Sequence, residues 1–278
     1  MLKRMLVLLE EQDMSRAAIE YGVHLASSGN ITLSALSVVD IPSIEKSIGP
    51  VPMGASYYAQ KEEEQRAEQE KRVLTKIEQE FKALCEKEGI HHTCMLREGK
   101  GEEIILDETK YHDMLIMGYE TSIKFGPGRD TSLQRHLISH GINPTLLIPN
   151  TYHEINNILL CYDGSVQATK TIHEFVQFGI WKERDVTLLT VQKEKDKETG
   201  EYLLERMGEY MGACCNVRFK SVCLIGNPHQ EILEYSEKEN MDMLVMGAFG
   251  KHVIHNFFFG STIDKFLKKA NKPIFIYH

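Results

Sequence analysis

Residues 243–262 read MLVMGAFGKHVIHNFFFGST. An apolar run ends at Gly247, and Gly250, Gly260, Ser261 and Thr262 follow it. The run has the length of a buried strand, and a glycine at its end lets the backbone turn with φ above zero. Gly250 has no Cβ to hold an anion away from the main chain. Gly260, Ser261 and Thr262 would open a helix with consecutive N–H groups and two hydroxyls, which are the donors a phosphate takes. The same glycines also read as ordinary turn residues, with Ser261 or Thr262 as a helix N-cap.

Upstream, the same strand occurs again. Residues 111–118 read YHDMLIMG and residues 240–247 read NMDMLVMG, an offset of 129 (247 minus 118). Asn143-Pro144 and Lys272-Pro273 keep that offset (273 minus 144). At the front of each copy, KRMLVLLE at 3–10 resembles NNILLCYD at 156–163, now at an offset of 153 (163 minus 10). The chain is therefore two copies of one unit, 1–150 and 155–278, and the first copy carries 24 extra residues (153 minus 129) in its middle.

Within each copy, short apolar runs alternate with amphipathic stretches. In the first, strands are predicted at 5–9, 32–39, 92–96, 114–117 and 145–148, and helices at 15–28, 60–87, 102–111 and 132–139. Residues 40–58 hold three prolines and two glycines and read as a loop. Val73, Leu74, Ile77, Phe81 and Leu84 mark the inner face of the charged helix at 60–87. The second copy predicts strands at 158–162, 185–191, 220–224, 243–246 and 273–277, and helices at 165–179, 199–214, 229–240 and 261–270. Apolar strands alternating with helices give a parallel sheet covered on both faces. Ligands of such sheets bind beyond the carboxyl ends of the strands, where the strand order reverses.

Asp163-Gly164-Ser165 stands at such an end. Asp163 could accept a hydrogen bond from a ribose or an adenine amino group, or Asp163 or Ser165 could simply cap the next helix. The two copies differ here. Asp163 aligns with Glu10, and Gly164-Ser165 with Glu11-Gln12. Gly250, Gly260 and Thr262 align with Thr121, Thr131 and Leu133. The first copy has lost the small residues and gained acids, which oppose a triphosphate by Coulomb repulsion. Only the second copy is expected to hold one. Arg129, or Glu10 and Glu11 with a cation, could serve another ligand of the first copy; a solvated loop is the simpler reading.

Composition narrows the class. The chain has 278 residues, a formal net charge of −8 and 42% hydrophobic residues. Such an acidic balance opposes broad nucleic-acid binding. The six cysteines form no C-x-x-C pair and read as structural or incidental thiols. No signal peptide is legible, and no apolar run approaches the roughly 18 residues of a membrane span. A cytoplasmic protein is the expectation.

These residues resemble the universal stress protein family in its tandem two-domain form. The family's phosphate motif is G-x2-G-x9-G-[ST], matched by Gly247, Gly250, Gly260 and Ser261. Asp163-Gly164-Ser165 is similar to its first-strand motif, and Gly226-Asn227-Pro228 with Glu231 and Ile232 to its loop after the third strand. The resemblance implies two Rossmann-like, doubly wound α/β domains of the adenine nucleotide alpha hydrolase type, forming a pseudo-dimer in which strands 145–148 and 274–277 pair. It also implies ATP in the second domain, with Mg²⁺ or Mn²⁺. Asp163, with Cys161, Tyr162 and Ser165 beside it, would face the adenosine. Val191 would contact adenine or ribose. Met246, Gly247 and Gly250, then Gly260, Ser261 and Thr262, would hold the phosphates, with Lys251 and His252 in reach.

The lysine of a GxxxxGK[ST] loop is absent, and no carboxylate is evidently placed to activate water, so turnover is expected to be slow at most. A nucleotide-dependent stress or signalling module is the leading reading, with a protein partner that the residues do not name. In that reading ATP orders the loop at 248–259, and Phe257, Phe258 and Phe259 pack on the core or meet the partner. An ATP-hydrolysing or nucleotidyl-transferring enzyme stays open. So do a non-nucleotide ligand in the first domain and a homodimer.

Overall fold

A computed structural model describes residues 1–10, 12–27, 29–52, 54–119, 137–138, 141–180, 182–215, 219–248 and 269–278. The chain divides into two compact units, Lys3–Asn143 and Pro144–His278, the latter with Met1–Leu2.

The first unit runs β1 (Arg4–Leu9), α1 (Gln12–Ser27), β2 (Thr32–Asp40), α2 (Ile41–Ile48), α3 (Ser56–Lys87), β3 (His92–Gly99), α4 (Gly101–Thr109) and β4 (Met114–Gly118). Its strands lie in the order β3-β2-β1-β4, and β1 is parallel to both β2 and β4. The order reverses between β1 and β4.

The second unit runs β5 (Thr145–Ile148), β6 (Asn157–Cys161), α5 (Val166–Phe178), β7 (Asp185–Gln192), α6 (Lys197–Cys215), β8 (Phe219–Ile225), α7 (Pro228–Lys238), β9 (Met243–Gly247) and β10 (Ile274–Tyr277). Its order is β5-β10-β9-β6-β7-β8, with the reversal between β6 and β9. β5 is antiparallel to β10, in the register Leu147 to Ile274 and Thr145 to Ile276, so the two closing strands do pair. All other pairs of this unit are parallel.

The repeat is visible in the bonds. Asp113 Oδ2 accepts from the Lys3 and Arg4 N–H groups, at 2.7 and 2.8 Å. Asp242 Oδ2 accepts from Asn156 and Asn157 in the same way, at 3.0 and 2.8 Å. Each carboxylate ties the start of one strand, β1 or β6, to the start of the strand beside it, β4 or β9. The cores are mostly apolar, and β4 and β9 are buried at every residue. Phe275 is fully buried, with the rings of Phe175 and Phe178 at 5.5 and 6.1 Å.

Two expectations need correction. Residues 40–58 are not all loop, because 41–48 form α2. Proline is compatible with the first turn of a helix, where its missing N–H has no partner to lose. Pro42 sits there, and the Asp40 carboxylate caps the turn by accepting from Ser43 N–H at 2.9 Å. The inner face of α3 also differs. Ala67, Leu74, Ile77, Phe81 and Cys85 are buried, whereas Val73 is 40% exposed and Leu84 half-buried. Predicted element ends elsewhere agree to within four residues, the largest difference being α3, which starts at Ser56 rather than at 60. The predicted helix at 132–139 is described only at 137–138, and that at 261–270 only at 269–270. Among the described residues, no helix is long and apolar enough to cross a membrane.

Candidate functional site

At the reversal point of the second unit, β6 ends at Cys161, and the Tyr162 N–H continues the ladder to the Leu189 carbonyl at 2.8 Å. Gly164 then turns with φ at +76°, and a Cβ there would lie 2.8 Å from the Leu203 side chain. Only glycine satisfies both demands. Asp163 Oδ1 accepts from the Ser165 N–H at 2.9 Å, and Ser165 Oγ accepts from the Ala168 N–H at 3.1 Å. These nested turns cap α5, which ends in a left-handed Gly179. Capping and a site role are thus not alternatives for Asp163, since only one of its oxygens is spent on the cap.

Asp163 Oδ2 is buried and finds no hydrogen-bond donor among the described residues. A buried carboxylate oxygen without a donor is unfavourable by an amount comparable to a lost hydrogen bond or more. It therefore marks a place where a donor from outside would be stabilised.

That oxygen belongs to a residue lining an open cleft. Cys161, Tyr162, Asp163, Ser165, Val191, Met246 and Gly247 all line it. The sequence named each of them. Gly250, Lys251, His252, Gly260, Ser261 and Thr262 lie outside the described residues. So do the first-copy positions Thr121, Arg129, Thr131 and Leu133, and the three phenylalanines at 257–259.

Three further lining residues complete the wall: Ala168, Leu189 and Ile232. Leu189 was legible in principle, because it lies two residues before Val191 and so on the same face of β7. Ala168 could not be read from spacing. It meets the cleft because the end of β9 packs on the first turn of α5, so closely that a Cβ on Gly247 would fall 2.4 Å from the Ala168 nitrogen.

Apart from Asp163 the wall is mostly apolar. Burial, and secondarily the nearby charge of Asp163, pushes the Cys161 thiol up to about 12. It stays neutral and belongs to the apolar lining rather than acting as a nucleophile. Tyr162 Oη lies 3.4 Å from Thr169 Oγ1, which holds its ring against α5. The cleft can thus accept a flat apolar group and bind one hydrogen-bond donor firmly.

The first unit builds its crevice differently. Ser15 Oγ accepts from the Glu10 N–H at 2.6 Å and donates to the Glu10 carbonyl at 3.0 Å, closing the turn after β1. Val38, the counterpart of Val191 (191 minus 153), is buried at 8% exposure, whereas Val191 is half-buried. At the end of β2, the buried Asp40 accepts from the Ser43 N–H with Oδ1 and from the Gly101 N–H at 3.0 Å with Oδ2. One carboxylate so caps both α2 and α4. In the second unit the same position is the exposed Lys193 (193 minus 40 is 153), and α7 takes its own cap from Asn227.

The model of the Universal stress protein family matches residues 1–148 and again 154–278. The chain belongs to the universal stress protein family. Among curated universal stress proteins, Slr1230 of Synechocystis is 23% identical over 98% of this chain and 99% of its own length. MJ0577 of Methanocaldococcus jannaschii is 34% identical over a shorter stretch, 21% of this chain and 36% of that protein. A crystal structure of a universal stress protein from Archaeoglobus fulgidus superposes with a TM-score of 0.70 at 19% identity, covering 99% of this chain and 95% of the other. That likeness speaks to the fold of this tandem universal stress protein.

Proposed function

We propose that this universal stress protein binds ATP in its second unit, with the adenosine in the cleft beside Asp163 and the phosphates on the segment that follows Gly247. The observation that carries the reading is the buried, donorless Asp163 Oδ2 in an otherwise largely apolar cleft at the strand-order reversal. Adenosine supplies both partners, a flat base for Leu189, Val191 and Ile232 and a hydroxyl or amino donor for the carboxylate. The glycines and hydroxyls of Gly250, Gly260, Ser261 and Thr262, with Lys251 and His252, supply the anion-binding half by their chemistry.

Among the described residues, no group of three metal-ligating side chains is present. A Mg²⁺ or Mn²⁺ ion would be held chiefly through the nucleotide's own phosphate oxygens, which is how Mg²⁺ commonly enters nucleotide sites. We read the protein as a nucleotide-dependent stress or signalling module of the cytoplasm rather than a fast enzyme, acting through a protein partner, as a tandem pseudo-dimer or a homodimer of it.

Isothermal titration of the full chain with ATP tests this. One ATP per chain is expected, and Asp163→Ala should weaken it by about 10- to 100-fold, the effect of losing a charged hydrogen-bond partner. Two sites of equal affinity, or an Asp163→Ala variant that binds like the parent, would overturn the reading.

A further inference from the structure

The 24 residues by which the first copy exceeds the second (153 minus 129) are built into something definite. They make α2 and lengthen the helix after the second strand, so that α3 spans 32 residues where its counterpart α6 spans 19. The insertion is held at both ends of α2. Asp40 caps its start, and Arg66 Nη1 donates to Ser47 Oγ at 2.7 Å near its end. Arg66 also pairs with Glu62 at 2.5 Å.

Beyond that brace the surface is unusual. Residues 49–60, GPVPMGASYYAQ, carry no charge in a chain that is 26% charged. Pro50 and Pro52 are exposed, Val51 is 46% exposed, and Tyr57 and Tyr58 are 69% and 74% exposed. The two tyrosine rings meet edge to face at 5.7 Å. Tyrosine offers large contact area with few rotatable bonds, which makes it a preferred anchor at interfaces. After the tyrosines come Ala59, Gln60 and the exposed Lys61, then Glu62, Glu63 and Glu64, of which only Glu62 has an ion pair among the described residues.

We propose that this tip, Val51 with its flanking prolines and the Tyr57–Tyr58 pair, is a docking surface for a partner protein that offers an apolar cleft with a lysine- or arginine-rich rim. The prolines and the helix pre-order the anchors, which lowers the entropic cost of binding. With Glu62 paired to Arg66, Glu63 and Glu64 outweigh Lys61, so the stretch 61–66 is net acidic by one charge (three acids against two bases); that favours a basic rim over an anionic membrane surface, as does the net charge of −8. A second copy of the chain would bring the same acidic rim, so a two-fold contact there sets like charges near one another. The surface is small, so a weak, reversible contact is expected.

The test pans a random peptide library displayed on phage against the full-length protein, and compares binding to Y57S/Y58S. Both side chains are largely exposed, so the variant should fold and bind ATP as the parent does. Recovered peptides should combine apolar residues with Lys or Arg and bind Y57S/Y58S roughly tenfold more weakly or worse. Their binding to the parent should fall as salt rises from about 0.05 to 0.3 M. Three results would overturn the proposal: peptides that bind parent and variant alike, or none recovered; a dimer seen in sedimentation that the variant loses; and pelleting with phosphatidylserine vesicles that the variant loses.

Discussion

The two units share their framework and differ at their mouths. Asp113 and Asp242 make the same pair of bonds at the amino ends of the strands, and the strand registers of β1–β4 and β6–β9 correspond residue for residue. At the carboxyl ends the likeness stops. Both aligned carboxylates keep a buried oxygen that accepts no hydrogen bond among the described residues, Glu10 Oε1 and Asp163 Oδ2, but Asp163 is the one that lines the open cleft described above. The first unit puts a buried carboxylate, Asp40, onto two helix starts of its own. A duplicated sheet keeps the edge that sets strand register and is free to change the edge that meets ligands. One carboxylate saturated by its own chain and one left half-satisfied have opposite consequences: the first stabilises the fold, and the second is available for binding.

Four tests would break or sharpen that contrast. The largest effect is expected from Gly247→Val. Its Cβ would meet main-chain atoms of Gln167 and Ala168 within 2.7 Å, which cannot be relieved by a rotamer change. A loss of about 3 kcal/mol or more is expected in the urea unfolding of the second unit, together with loss of the cleft. A midpoint unchanged from the parent would mean that β9 and α5 are not in such contact.

Asp40→Ala comes next. It strips the acceptor from two helix starts at a buried site, so the first unit should lose about 2–3 kcal/mol. Lys193→Ala at the matching exposed position should stay within about 0.5 kcal/mol. Equal effects from the two variants would show that the caps do not distinguish the units.

Third, the loss of ATP affinity expected for Asp163→Ala should have no counterpart at Glu10→Ala, which titration calorimetry should find within about twofold of the parent, a difference too small to be a lost hydrogen bond. A comparable loss at Glu10 would place the nucleotide in the first unit instead.

The smallest effect concerns His112, which is buried with Nδ1 at 2.8 Å from the Glu108 carbonyl; its counterpart is Met241 (241 minus 112 is 129). Burial lowers the His112 pKa below its ordinary value. The unfolded chain therefore takes up the proton first as pH falls, and the first unit loses stability as pH drops through the ordinary histidine value towards the lowered one. His112→Met, which copies the second unit, should flatten the change in urea midpoint between about pH 7.5 and 5.5. A slope that His112→Met leaves untouched would assign that sensitivity to other groups.

Much of this was legible in the chain. The repeat, the α/β alternation and, among the described cleft residues, Asp163, Ser165 and Gly247 were readable because strand ends are marked by glycine and by short polar residues whose roles depend on neighbours only a few positions away; Cys161, Tyr162, Val191 and Met246 came from the resemblance to the family. The helix at 41–48 was not, because Pro42 is a breaker by composition and a first-turn residue by position, and only the Asp40 cap decides between them. Ala168 was hidden for another reason, since its place in the cleft depends on a contact 79 residues distant (247 minus 168).

By itself, then, the sequence determined that this protein is a doubled α/β unit and that the two copies differ in their glycine spacing, because periodicity and glycine spacing are local properties of a chain. Only the tertiary structure decided which carboxylates are spent and which are left over. Asp40 and Asp163 both stand at the carboxyl ends of buried strands and look alike in one dimension. Whether a carboxylate finds its donors depends on which helix starts the fold brings within about 3 Å of it, and that distance is set by packing between segments far apart along the chain.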